Sequence, residues 1–392
     1  MCVRCGLYAV LSNTGCALVT CVHLTMDNAP IGGWSLRLMV LTEALLERPV
    51  VRLMRPASLF LNISRTLGQD HFKADFGLDL QEFNAIHDAL QLPQMILSRS
   101  YDRVDSKTAL LMVLAYLRGR TLDSLEGQYG WSRARVSRVH RATCKLILKR
   151  WRHLLNVTSR HHALLRPQRL EYYAAAVKRC TGVHVVWGAV DGTVRPIARP
   201  EVWQEAMYNG HKRQHALKWQ YVTTPDGLIF LFGPDDGARH DITVWKDSGI
   251  AAWSLQHARS TTGEPLNLYG DKGYAQGPGL MTPFRGNAED IEPKDELFNR
   301  VMSKYRITVE WSIGTIPVLF PRFRDKQWQR VGLSAVGQDY KVGALIRNAL
   351  TCYADSQVGI YMNCSPPTLD EYFSGHRIPR ATSTFVDIQE QT

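Results

Sequence analysis

The sequence predicts a mixed α/β fold in its second half, preceded by an all-α segment that is strongly basic. Three observations carry this reading. Short β-branched and aromatic runs in the second half stop at or near acidic residues, as in Val185-Val186-Trp187-Gly188-Ala189-Val190-Asp191 and Leu266-Asn267-Leu268-Tyr269-Gly270-Asp271. Two further runs flank Pro225-Asp226-Gly227, a strand–turn–strand signature. Finally, residues 101–170 hold 15 Lys plus Arg against 4 Asp plus Glu, which accounts for the whole net charge of +11.

In chain order, Thr108–Arg118 reads as an apolar helix and Leu122–Tyr129 as a second. Gly130-Trp131 then makes a turn, and Ser132 caps a third helix reaching about Trp151. In that third helix Val136, Val139, Thr143 and Leu146 recur every three or four residues and face inward. Arg133, Arg135, Arg138 and Arg141 are left for a polyanion, with a merely solvated basic face as the alternative. Downstream, His184–Val190 reads as a strand and Thr193–Ile197 as a weak continuation. Gln220–Thr224 and Leu228–Phe232 form a hairpin, and Leu266–Tyr269 a fourth strand. Trp245–Ser254 and Asp295–Trp311 read as covering helices, with Pro317 and Pro321 expected to interrupt the latter. Hairpin strands followed by strand–helix alternation suit an α/β fold.

Asp191, Asp241, Asp271 and Glu310 are the candidate site. Carboxylates at the rim of a sheet, joined by one from a packed helix, offer the oxygen donors that Mg²⁺ or Mn²⁺ prefers. Against this, Asp-Gly is a common turn former, and 36 acidic residues place some at strand ends by chance. His211 and His215, four apart, match a zinc spacing only if they share a helix, and no third soft ligand is near in sequence. Lys212, Arg213 and Lys218 fit phosphate contacts better, and His240 is an auxiliary candidate beside Asp241.

The company these acids keep is specific. Ala189-Val190-Asp191-Gly192-Thr193, Tyr208-Asn209-Gly210-His211-Lys212, Thr224-Pro225-Asp226-Gly227, Gly237-Ala238-Arg239-His240-Asp241, Gly270-Asp271-Lys272-Gly273-Tyr274, Arg306-Ile307-Thr308-Val309-Glu310-Trp311 and Arg347-Asn348-Ala349 occur in one order. That series resembles the PIF/Harbinger transposases and their domesticated nuclease relatives, and the Gly and Trp after Glu310 resemble the fungal and oomycete branch. The resemblance implies an RNase H-like DDE catalytic domain preceded by a helix-turn-helix. Asp191, Asp271 and Glu310 would be its metal-holding catalytic triad and Asp241 a fourth metal ligand; Asp271 ranks above Asp241 as the second member because it ends a strand, whereas Asp241 follows a turn-rich stretch and begins a helix. It also implies a metal-dependent DNA endonuclease, with strand transfer as a further step and a DNA-binding protein that no longer cuts as the alternative. DNA is the expected partner, joined by a separate Myb-like accessory protein, with self-association into a homo-oligomer left open. The nucleus is the expected location, with the cytoplasm as a second.

The resulting layout is an N-terminal extension over 1–75, a helical DNA-binding segment over 76–170, a nuclease domain over 180–362 and a mobile tail over 363–392. Cys2, Cys5, Cys16 and Cys21 fit no zinc module, and the extension reads as an over-long start ahead of Met26 or Met39. Neither a signal peptide nor a membrane span is legible there.

Overall fold

The computed structural model describes residues 59–159, 163–286 and 291–374. The expectations for 1–58 and for the end of the tail, 375–392, lie outside the described residues. Three helices open the described chain: Leu59–Thr66, Gln69–Phe76 and Leu80–Leu90. The last begins with a capping box, in which Asp79 accepts from the Glu82 amide and Glu82 returns the bond to the Asp79 amide. A small hairpin that the sequence reading missed, β1 (Met95–Leu97) and β2 (Arg103–Asp105), leads into the helix Ser106–Leu117.

The helices Leu122–Tyr129 and Arg133–Trp151 stand where the pattern put them. Gly130 ends the first in a left-handed conformation (φ +65°), and Ser132 accepts from the Arg135 amide to start the second. Val136, Val139 and Thr143 are buried as expected, and Ile147 is fully buried where Leu146 is only partly so.

The sheet is mixed. β3 (Val186–Pro196) lies between β5 (Gln214–Thr223), antiparallel, and β7 (Asn267–Tyr269), parallel. β8 (Leu280–Met281) extends it beyond β7. The other edge of β5 carries β6 (Ile229–Asp236) and, end to end with it, the short β4 (Tyr208–Asn209). Thr223 pairs with Ile229 across the turn holding Pro225-Asp226-Gly227, so the hairpin stands in its expected register. Its turn is locked from within: buried Asp226 accepts from Thr224 Oγ1 (2.5 Å) and the Leu228 amide (3.1 Å), and Tyr173 and Arg169 donate to its other oxygen.

The helices Pro167–Thr181, Pro293–Leu319 and Val336–Ala354 cover the sheet. One hydrophobic cluster runs from Phe60 to Phe373 and includes Trp151, Trp187, Trp219 and Tyr269, so the basic helix and the sheet share a core. Among the described residues, no helix is long and apolar enough to cross a membrane.

Three expectations need correction. Asp191 does not end a strand, because β3 continues through it to Pro196 on the pairing with β5. The expected helix over Trp245–Ser254 is two, Asp241–Asp247 and Ile250–His257, separated at Gly249 with φ +70°. The helix Pro293–Leu319 runs through Pro317 instead of stopping before it. Proline lacks the N–H that would bond the carbonyl of Ile313, and Arg195 donates to that carbonyl instead (3.2 Å). The helix ends just before Pro321, where Phe320 is forced out of helical conformation (φ −124°, ψ 83°).

Candidate active site

The four acids arrive from four elements. Parallel pairing sets Ala189 beside Tyr269, and β7 then ends. Two residues further along both chains, Asp191 and Asp271 stand next to each other where β3 loses its neighbour. This is the physical content of an acid at a sheet rim: the flanking strand stops, not the strand that carries the acid.

Each of these carboxylates is fixed by a backbone amide. Asp191 Oδ1 accepts from Gly192 N–H (2.8 Å) and Asp271 Oδ1 from Gly273 N–H (2.9 Å). Their Oδ2 atoms both face Arg306. Its guanidinium lies 3.7 Å from Asp191 Oδ2, 4.0 Å from Asp271 Oδ2 and 3.8 Å from Glu310 Oε1. Arg306 precedes Glu310 by four residues, one helical turn, so both project from one face of the same helix. Asp191, Asp271 and Glu310 therefore converge on a single cation.

Asp241 opens the short helix after β6 and leans across Gly192. Its counter-ion is Lys218 from β5, 3.1 Å from Oδ1, and Lys218 also donates to the Arg239 carbonyl (2.7 Å). Lys218 was expected on DNA. It is instead buried beneath the site, with 5% of its surface exposed, because its position in β5 points it at the Asp241 helix. Lys212 and Arg213 are exposed in the turn between β4 and β5 and remain available to a polyanion. His211 shares that turn while His215 lies in β5, so the four-residue spacing is not a helical one. His240 is exposed at the N-terminus of the Asp241 helix.

Electrostatically the cluster is under-compensated. The Asp191 carboxyl is raised to about 6 as the balance of burial, which pushes it up most, Arg306 and the Gly192 amide, which pull it down, and Asp271 and Asp241, which push it up. Tyr274, four residues into the Gly270-Asp271 motif, is buried with its hydroxyl lacking any hydrogen-bond partner. Burial and the neighbouring charges of Asp241, Asp191 and Asp271 raise its pKa strongly. Sequence reasoning did not place Arg306 or Tyr274 in the site. The one-turn spacing from Glu310 was the available signal for Arg306.

Beside Arg306 and Glu310, a cleft of about 470 Å³ is also lined by Arg300, Ser303, Lys304 and Ile307. The four arginines of the third helix are engaged within the chain. Arg133 pairs with Asp123 and Glu126, Arg138 grips Asp102 through two bonds (2.8 and 3.2 Å), Arg135 stacks on Trp131, and Arg141 donates to the Leu333 carbonyl.

Four carboxylates and an orphaned buried hydroxyl, set against one arginine and one lysine, make an all-oxygen donor set with excess negative charge. That set fits a hard divalent cation. No curated protein and no solved structure matches the chain. Residues 190–330, which contain all four acids, match the family described as DDE superfamily endonuclease.

Proposed function

We propose that the protein is a divalent-metal-dependent DNA endonuclease of transposase type, related to the PIF/Harbinger group, with an RNase H-like catalytic region and a helix-turn-helix ahead of it. The observation that carries this reading is the convergence of Asp191, Asp271 and Glu310 on Arg306, with Asp241 alongside at Gly192.

Asp191, Asp271 and Glu310, with Asp241, would hold Mg²⁺ or Mn²⁺. When bound, such ions polarise the scissile phosphate and promote ionisation of the attacking water or 3′-hydroxyl. The chain's own groups prepare that step. Gly192 and Gly273 amides immobilise one oxygen of Asp191 and of Asp271, leaving the second oxygen of each directed at a common point. Lys218 pins Asp241 against β3. Arg306 carries positive charge where a phosphate would enter, and Arg300 and Lys304 continue that charge along the cleft. Lys212 and Arg213 extend the polyanion contact from the β4–β5 turn, while Arg133, Arg135, Arg138 and Arg141 would have to exchange their internal partners for phosphates. Strand transfer after cleavage, a nuclear location and delivery by a Myb-like accessory protein belong to the same proposal.

The test is nicking of supercoiled plasmid with Mg²⁺ or Mn²⁺, alongside a gel shift. The wild-type chain nicks and Asp191→Asn does not, while both bind DNA. Equal cleavage by the variant refutes the site. DNA binding without nicking by the wild-type chain establishes the alternative, a DNA-binding protein that does not cut.

A further inference from the structure

Away from the carboxylates, His140 and Cys144 lie one turn apart on the basic helix Arg133–Trp151. Asp339 faces them from the first turn of Val336–Ala354. All three are buried. His140 Nε2 is 3.7 Å from Cys144 Sγ and 3.6 Å from Asp339 Oδ1, and the same Sγ and Oδ1 are 3.9 Å apart. Among the described residues, these form a group of metal-ligating atoms all within 4.8 Å of one another.

At 3.6 Å the His140–Asp339 separation is long for a nitrogen–oxygen hydrogen bond, which falls at about 2.7–3.2 Å, while the two contacts to Cys144 Sγ are within reach of weak sulfur hydrogen bonds. All three are the right size for the edges of a coordination shell. A triangle with these sides has its centre about 2.2 Å from each corner, within the ~2.0–2.3 Å span of Zn–O, Zn–N and Zn–S bonds. The donor set is also selective. Thiolate and imidazole favour a borderline-soft ion over Mg²⁺ or Mn²⁺, and thiolate plus carboxylate neutralise a divalent charge.

The surroundings hold the imidazole in place. Tyr116 packs its ring on His140 (4.3 Å between centroids), and the Arg322 guanidinium lies 3.5 Å over the Tyr116 ring.

We propose that His140, Cys144 and Asp339 bind a buried zinc ion as three of its four ligands, a trapped water being the fourth, and so tie the basic helix to the helix covering the sheet. Because the trio is buried between two packed helices, the ion staples them and takes no part in chemistry. The inference is independent of the nuclease reading: one ligand, Cys144, is a thiol that the carboxylate cluster lacks.

The test uses the purified full-length chain. Atomic emission finds about one zinc per chain, and exchange with Co²⁺ gives the near-ultraviolet thiolate-to-cobalt charge-transfer band. Cys144→Ser loses both zinc and band, while Asp191→Asn keeps both. Should Cys144→Ser fail to fold, Asp339→Asn reads the same ligand set and loses roughly tenfold or more in zinc affinity. A wild-type chain with neither zinc nor band overturns the proposal. So does a Cys144→Ser or Asp339→Asn variant that holds zinc as tightly as wild type, since the ion then sits elsewhere.

Discussion

Asp241 rests against the bare backbone of Gly192: a Cβ placed at residue 192 would lie 2.7 Å from Asp241 Cγ and overlap its Oδ1. The glycine of the Asp-Gly-Thr motif is therefore a seat for a carboxylate arriving from another element. It is not a turn glycine, since it sits inside β3 and pairs with Gln220.

Gly192→Ala should displace Asp241 and with it the start of the Asp241–Asp247 helix. Overpacking of this kind costs about 1–3 kcal/mol. We expect plasmid nicking to fall while the gel shift is retained. Unaltered nicking would show that the position of Asp241 is immaterial.

Lys218 offers a sharper separation of roles. Lys218→Met removes the counter-ion of Asp241 and leaves the Arg239 carbonyl unbonded. Because Asp241 is partly exposed, the stability loss should be about 1–2 kcal/mol, less than for a sealed ion pair. Nicking should drop with the salt dependence of DNA binding unchanged. A salt slope lower by about 1 would instead make Lys218 a phosphate contact.

Asn348 explains a motif that does no chemistry in this reading. Its side chain accepts from the Ile229 amide (3.0 Å), donates to the Ile229 carbonyl (2.7 Å) and also donates to the Tyr372 hydroxyl (3.0 Å). A helix residue thus satisfies both peptide groups at the start of β6. Asn348→Ala should cost about 2–4 kcal/mol, because buried backbone groups lose their partners. Urea unfolding reads this as a lower midpoint at unchanged slope.

Asp102 predicts an acid-sensitive helical segment. The Arg138 hydrogen bond holds its carboxyl below the ordinary value, with further lowering from Ser98 and Arg135, against the opposing effect of burial. A depressed carboxylate contributes stability above its unfolded pKa near 3.8, and loses that contribution as pH falls through the folded value. The thermal midpoint of the wild type should therefore drop more steeply than that of Asp102→Asn as pH is lowered from 5 toward 3, roughly the range where carboxylates titrate. Parallel curves would show that the pair contributes nothing.

Local pattern was enough for the elements whose signals are short-range. The Ser132 cap, the Gly130 stop and the Thr224–Leu228 turn depend on contacts a few residues apart, and they appear where the chain announces them. The four acids that folding gathers around Arg306 and Gly192 also stood out in sequence, through motifs in a fixed order. The β1–β2 hairpin was not, because three-residue strands carry too little periodicity to register.

Partnership across the chain was decided by tertiary structure alone. That Asp271 stands beside Asp191 follows from the parallel register of β3 and β7; the strand-end pattern ranked Asp271 first but could not set that register. The survival of the helix through Pro317 depends on Arg195, more than a hundred residues earlier, filling the vacated carbonyl. Likewise, a basic side chain reads the same in sequence whether it meets solvent or a buried carboxylate. Only folding sends Lys218 inward to Asp241, leaves Lys212 on the surface and brings Arg306 between three carboxylates. Charge is a property of the residue, but its partner is a property of the fold, because pairing energies fall off within a few ångströms and so depend on where distant segments come to rest.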